Sequence, residues 1–155
     1  MDLYSLVKTV HILSSTVLFG TGIGIAFFFL MGMRSGEPAA AWFAARTTTI
    51  ADMIFTFTAG VIQPLSGFML IDLAGFDPSE RWLIAAYVLY VVALACWLPV
   101  VRLQIRIRDM WRAKLDGDAI DDTLLERRIR TWFMLGWPAF GALVAVFWLM
   151  VAKPA

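Results

Sequence analysis

Polar and apolar positions along this chain are sorted on the scale of whole helices. No charged side chain occurs between Lys8 and Arg34, Asp52 and Asp72, Arg81 and Arg102, or Arg130 and Lys153. Each uncharged run is roughly 19–25 residues, long enough to cross a hydrocarbon core of about 30 Å as an α-helix. A lipid core offers no partner to an unpaired backbone group. The pattern therefore predicts an all-α fold, a polytopic bundle of four transmembrane helices at about 4–33, 49–73, 82–110 and 124–152. These form a single membrane domain over 1–155, with a basic connection over about 102–130. The first run continues to Met33 with no Ala-x-Ala pattern, so it is read as a retained helix and not as a cleavable signal.

Breaks in the pattern carry local expectations. Pro64 lies in the middle of helix two, where it frees the carbonyl one turn earlier. Gln63, Ser66 and Gly67 are expected to satisfy what that bend exposes. Gly75, Asp77 and Pro78 read as a turn, and Asp116-Gly117-Asp118 as another. Arg127 occupies the twelfth place counted from Asp116, so the second turn lacks the late acidic ligand of a calcium loop. Thr123 and Glu126 have capping-box spacing before helix four. Trp82, Trp132, Trp137 and Trp148 fall near span ends and are expected in interfacial belts.

Composition agrees with a membrane protein, at 61% hydrophobic and 16% charged with a mean hydropathy of +0.77. The net charge of +1 conceals an asymmetry. Arg34, Arg46, Arg102, Arg106, Arg108, Arg112, Lys114, Arg127, Arg128 and Arg130 bracket connections one and three, whereas Lys8, Arg81 and Lys153 lie on the other side. The positive-inside rule then places connections one and three in the cytoplasm and both termini outside, in a bacterial inner membrane. Basic residues beside membrane spans follow from that topology, so no nucleic-acid partner is inferred. Over Arg102–Lys114 they alternate with Leu103, Ile105, Ile107, Met110 and Trp111, as in a basic amphipathic helix at the inner surface. Cys96 is the only cysteine, which excludes an intrachain disulfide.

Candidate chemistry concentrates in helices one and two. His11 is the only histidine, and ionisable groups inside a membrane are costly and point to function. Lys8, His11 and Ser15 share one helical face, and Thr16, Gly20 and Gly24 share another, which suits close packing or a homodimer. The Gly-Thr-Gly-Ile-Gly string of helix one follows no strand and is no phosphate loop. With antiparallel helices, Gln63 and Ser66 of helix two and Tyr87 of helix three reach the depth of His11. This predicts an outer polar pocket of Lys8, His11, Ser15, Gln63, Ser66 and Tyr87, in which His11 serves either packing or ligand and proton handling. Near the inner end, Asp52 is expected to pair with Arg46 or Arg102. No second histidine, Cys-x-x-Cys, His-Glu-x-x-His or nucleophile elbow is present, so no reaction or metal site is assigned.

The strings VKTVHILSSTVLFGTGIGIAFF, QPLSGFML and RWL…WLPVVRLQIRIR resemble the bacterial integral membrane proteins called domain of unknown function 2269, over almost the whole chain. That resemblance implies topology and no activity. More distantly, a helix-one histidine followed by glycines is similar to HemJ-type protoporphyrinogen oxidases and to CopD membrane domains. In the HemJ type such a histidine is implicated in haem binding with a lysine on helix three. His11 matches the histidine, whereas Trp82–Tyr87 contains no lysine and Ala26–Met33 no arginine.

Three functions fit these residues. The first is an auxiliary, non-catalytic membrane protein. The second is a haem b redox protein using His11, with Met69, a water or a second subunit's histidine as the other axial ligand. The third is a small proton or metal transporter whose outer vestibule is the His11 pocket.

Overall fold

The computed structural model describes residues 2–154, with no strand among them. Helix α1 covers Leu3–Arg34, α2 Pro38–Ala51, α3 Phe57–Ala74, α4 Arg81–Leu115 and α5 Asp122–Ala152. A π-helical segment, Asp52–Thr56, joins α2 to α3 within one continuous span, Pro38–Ala74. That span, α1, α4 and α5 are the four helices long and apolar enough to cross a bilayer. The fold is the all-α, four-span bundle expected from the uncharged runs.

Local chemistry sets the helix ends. The Asp2 carboxylate accepts from the Ser5 N–H at 2.7 Å, and Asp121 accepts from the Leu124 N–H at 3.0 Å, each satisfying a donor that the first turn leaves open. Asp121, not Thr123, is therefore the cap of α5, because the helix already runs from Asp122. Gly75 closes α3 at φ 69°, a left-handed conformation that glycine adopts without strain. The second span begins at Pro38 rather than near Thr49. Proline suits the first helical turn, and the alanines at 39–41, 44 and 45 carry strong helix propensity past Arg46. Likewise α4 continues unbroken to Leu115.

Helix α1 packs on α2 and α3, α2 packs on α4, and α4 and α5 form the most extensive pair. Two buried clusters hold opposite ends of the bundle. Phe29, Ala45, Val100, Ile107, Leu125 and Trp132 form one, at the end where the arginines lie. Ile71, Trp82, Leu83, Ala86 and Leu149 form the other. Trp132 is thus a core residue rather than an interfacial one, its ring centroid 4.6 Å from that of Phe29. Trp82 is likewise buried, with Phe76 edge-on to it at 5.5 Å. Outside these clusters large apolar side chains such as Leu65, Val91 and Trp137 face outward, as a bilayer solvent permits.

Among the glycines, the tightest contact lies at Gly32. A Cβ added there would stand 2.2 Å from the Ala44 Cβ of α2. Thr16, Gly20 and Gly24 do not serve this packing. A Cβ at either glycine meets nothing within 4 Å, and the Thr16 hydroxyl turns back to the Ile12 carbonyl at 3.0 Å.

Candidate functional site

Between the two clusters lies a cavity of about 690 Å³. Its walls are apolar for most of their extent, with Leu18, Ala26, Leu94, Phe140 and Leu143 among the lining residues. Polar groups gather where the cavity reaches the basic end of the bundle: Asp52, Thr56, Trp97 and Gln104.

Asp52 opens the π-helical segment, and such local departures from α-helical winding frequently accompany functional sites. Only 1% of its surface is exposed. The Trp97 indole N–H donates to its two oxygens at 3.2 and 3.1 Å. No cation stands within ion-pair distance, because the ion pairs among the described residues are Arg108–Asp109, Arg112–Asp116 and Lys114–Asp122. The expected pairing with Arg46 or Arg102 is therefore not formed. Both arginines are exposed, and long basic side chains keep their charged heads in the wetter layer when a helix surface lets them.

Gln104 faces the same carboxylate from α4. It is 1% exposed and its side chain is directed at Asp52, but neither its amide nitrogen nor its oxygen comes within the 3.5 Å of a full hydrogen bond to any group. The Thr56 hydroxyl beside Asp52 and the Trp132 indole N–H, also at the cavity wall, are likewise buried and unpaired. Each such group costs roughly 1–3 kcal/mol relative to a paired one. Phe57 stacks on Trp97 at 6.4 Å with 22° between the rings, so aromatic faces border the polar end.

Higher in the cavity, Pro64 has no N–H to offer the Gly60 carbonyl, and the Tyr90 hydroxyl of α4 donates to it instead. This is not the arrangement expected at the helix-two proline. Gln63 and Ser66 turn away from the break and toward α1.

Those two residues build a second polar cluster with His11. The Gln63 amide donates to the His11 carbonyl at 2.7 Å and to the Ser14 hydroxyl at 2.5 Å. The His11 Nδ1 lies 2.8 Å from the Ser66 Oγ. Ser66 also approaches the Ile62 carbonyl at 2.7 Å, an acceptor that engages its hydroxyl proton. The tautomer that fits this pattern carries its proton on Nδ1, which donates to Oγ. The ring lies against Gly67, where an added Cβ would be 3.4 Å from its Cε1. The cluster ties α1 to α3.

Other members of the expected outer pocket go elsewhere. Lys8 is exposed, with its ammonium 5.5 Å from the Tyr4 ring centroid. Ser15 donates to the Ile12 carbonyl at 2.7 Å. Tyr87 stacks near Phe68 at 5.7 Å and its hydroxyl is unpaired. Met69 is exposed on α3. None of His11, Ser14, Gln63 or Ser66 lines the large cavity, which has no histidine, cysteine or methionine in its walls. A haem in that cavity would lack these usual axial ligands, and Tyr90, the one tyrosine in its walls, has its hydroxyl engaged with the Gly60 carbonyl, so its residues do not fit the group.

Sequence reasoning named Asp52 but gave it the wrong partner, and it missed Gln104 and Trp97. A signal for Gln104 exists. Val100, Gln104 and Ile107 recur at spacings of four and three and are the buried stripe of the inner part of α4, whereas Arg102, Arg106 and Asp109 are exposed.

Comparison with known proteins leads in one direction. A family model described as predicted integral membrane protein (DUF2269) matches residues 5–154. No curated protein and no solved structure matches.

Proposed function

This chain belongs to the DUF2269 family of predicted integral membrane proteins, and within that class we propose that it is a non-catalytic protein binding an amphipathic amine from the bilayer. The observation that carries this reading is Gln104, buried with both amide atoms unpaired beside an Asp52 that has no counter-ion, at one end of an apolar cavity. A buried carboxylate without a cation is costly, and an ammonium head relieves that cost. Its N–H groups would donate to Asp52 and to the Gln104 oxygen. The alkyl part would fill the apolar remainder. Depth supports the same orientation. Trp97 precedes Arg102 on α4 by about 8 Å of helix, so the head would sit near the interface and the tail would point to mid-bilayer, as in a lipid of that leaflet.

Ten of the thirteen basic residues lie at this end. That bias supports a cytoplasmic location for it and an external one for both termini, in a bacterial inner membrane.

Calorimetric titration of the purified protein in detergent tests the reading, with dodecylamine as probe and dodecanol as its neutral counterpart. Saturable binding of the amine is expected, weakened at least tenfold in Asp52→Asn, because removing one partner of a buried ion pair is costly. His11→Ala, away from the cavity, should bind as the native protein does. Equal affinity for the alcohol, or an unchanged Asp52→Asn, would overturn the proposal.

A further inference from the structure

A second recognition site lies outside the cavity, on the groove between α2 and α4 at the basic end. We infer that this groove binds the phosphodiester headgroup of an anionic phospholipid. It is a recess of about 340 Å³ lined by Trp42, Arg46, Ile50, Arg108, Asp109 and Arg112. The Arg46 and Arg112 guanidinium carbons lie 5.7 and 5.4 Å from the Trp42 ring centroid. The indole thereby holds two guanidinium groups from different helices against one ring, which pre-organises them for a shared anion.

Charge matches one phosphodiester. Arg108 is paired with Asp109 at 2.7 Å and Arg112 with Asp116 at 2.9 Å, whereas Arg46 is in none of the ion pairs among the described residues. With Asp116 counted, which pairs from outside the recess, the three arginines and two aspartates leave one unit of positive charge, opposite to the single negative charge of a phosphodiester. Guanidinium groups also meet phosphate oxygens with two parallel N–H donors.

Depth identifies the anion as a lipid. Phe43 lies further toward the basic end of α2 than Arg46 and is 50% exposed, and its neighbour Phe28 on α1 is 45% exposed, with ring centroids 6.3 Å apart. Exposed phenyl rings, which have no polar tip, belong on the apolar side of the headgroups, so Arg46, deeper along α2, lies at or inside headgroup level. Ile50, one turn deeper on the same face, is also exposed and offers an apolar surface to an acyl chain. Basic pockets between membrane helices are suited to anionic headgroups.

Native mass spectrometry tests the inference on protein released from nanodiscs of equal phosphatidylglycerol and phosphatidylcholine. The native protein should retain phosphatidylglycerol preferentially. Arg46→Gln should lower that preference about fivefold, the loss expected for one basic group near a membrane surface, and Arg112→Gln should act in the same direction. Arg34→Gln, at the same end but outside the groove, should leave it within about twofold on the same scale. Equal losses in Arg34→Gln and Arg46→Gln would show diffuse attraction without a site. Displacement of the lipid by added inorganic phosphate would show a free-anion site, and either result overturns the inference.

Discussion

Replacing Gly32 by alanine puts a methyl group into the close approach of α1 to α2. The new Cβ would lie 2.2 Å from the Ala44 Cβ and 3.3 Å from the Ala40 carbonyl oxygen. Carbon atoms prefer about 3.5–4.0 Å, so α1 and α2 must move apart by more than 1 Å at this point or the side chains must strain. Overpacking of this kind costs about 1–3 kcal/mol, against which the helix-propensity gain of alanine over glycine is at most about 1 kcal/mol. We expect Gly32→Ala to be net destabilising by about 1–2 kcal/mol. Gly24→Ala, where nothing lies within 4 Å of the added carbon, should be neutral or slightly stabilising. Unfolding in mixed detergent micelles, followed by far-ultraviolet circular dichroism, measures both. Ala44→Gly removes the opposing methyl, so a double-mutant cycle with Gly32→Ala should show a favourable coupling of about 1 kcal/mol. Additive effects in that cycle, or a Gly32→Ala protein as stable as Gly24→Ala, would refute the packing argument.

Gln104→Leu should move stability and binding in opposite directions. Removing two unpaired polar atoms stabilises the ligand-free bundle by about 1–3 kcal/mol, while the affinity for dodecylamine falls in the same titration. Asp121→Ala should cost about 1 kcal/mol and Thr123→Ala little, since the cap is Asp121. Amide exchange in the first turn of α5 distinguishes the two. The Ser79 hydroxyl and amide hold the Asp77 carboxyl below its usual range. Its contribution to the α3–α4 turn is therefore present above the unfolded value near about 4 and is lost as pH falls through the lower folded value. Protection of the Ser79 amide should follow that course and become insensitive to acid in Asp77→Asn.

The spans were legible because charge exclusion from a hydrocarbon core acts over whole helices and leaves uncharged runs that need no partner information. The start of the second span was not, since charge placement put it inside the run near Thr49, while Pro38 and the alanines after it carry the helix outward. Depth alone brings His11, Gln63 and Ser66 to one level, and their side chains meet there. Lys8, Ser15 and Tyr87 share that depth but turn to other partners, because depth does not give azimuth. Asp52 shows the same limit. Its charge suggested an arginine partner, whereas the π-helical segment presents it to Trp97, a choice set by helix rotation. Gln104 sat among arginines and was absorbed into the basic stretch, although its spacing with Val100 and Ile107 marks the inward face. Gly32 is less conspicuous in the sequence than the denser glycines of Gly20–Gly24, of which Gly20 and Gly24 face open space and only Gly22 meets a neighbour, Phe140.

Gln63 and Gln104 are the only glutamines in the chain, so glutamine-selective ¹⁵N labelling reports the two polar clusters separately. Titration of the labelled protein with dodecylamine, followed through the side-chain amide resonances, tests directly whether the Asp52 end of the cavity receives an amine. A saturable shift of the Gln104 amide pair, with the Gln63 pair unmoved, is the predicted result. An unmoved Gln104 pair, or equal shifts of both pairs, would contradict it.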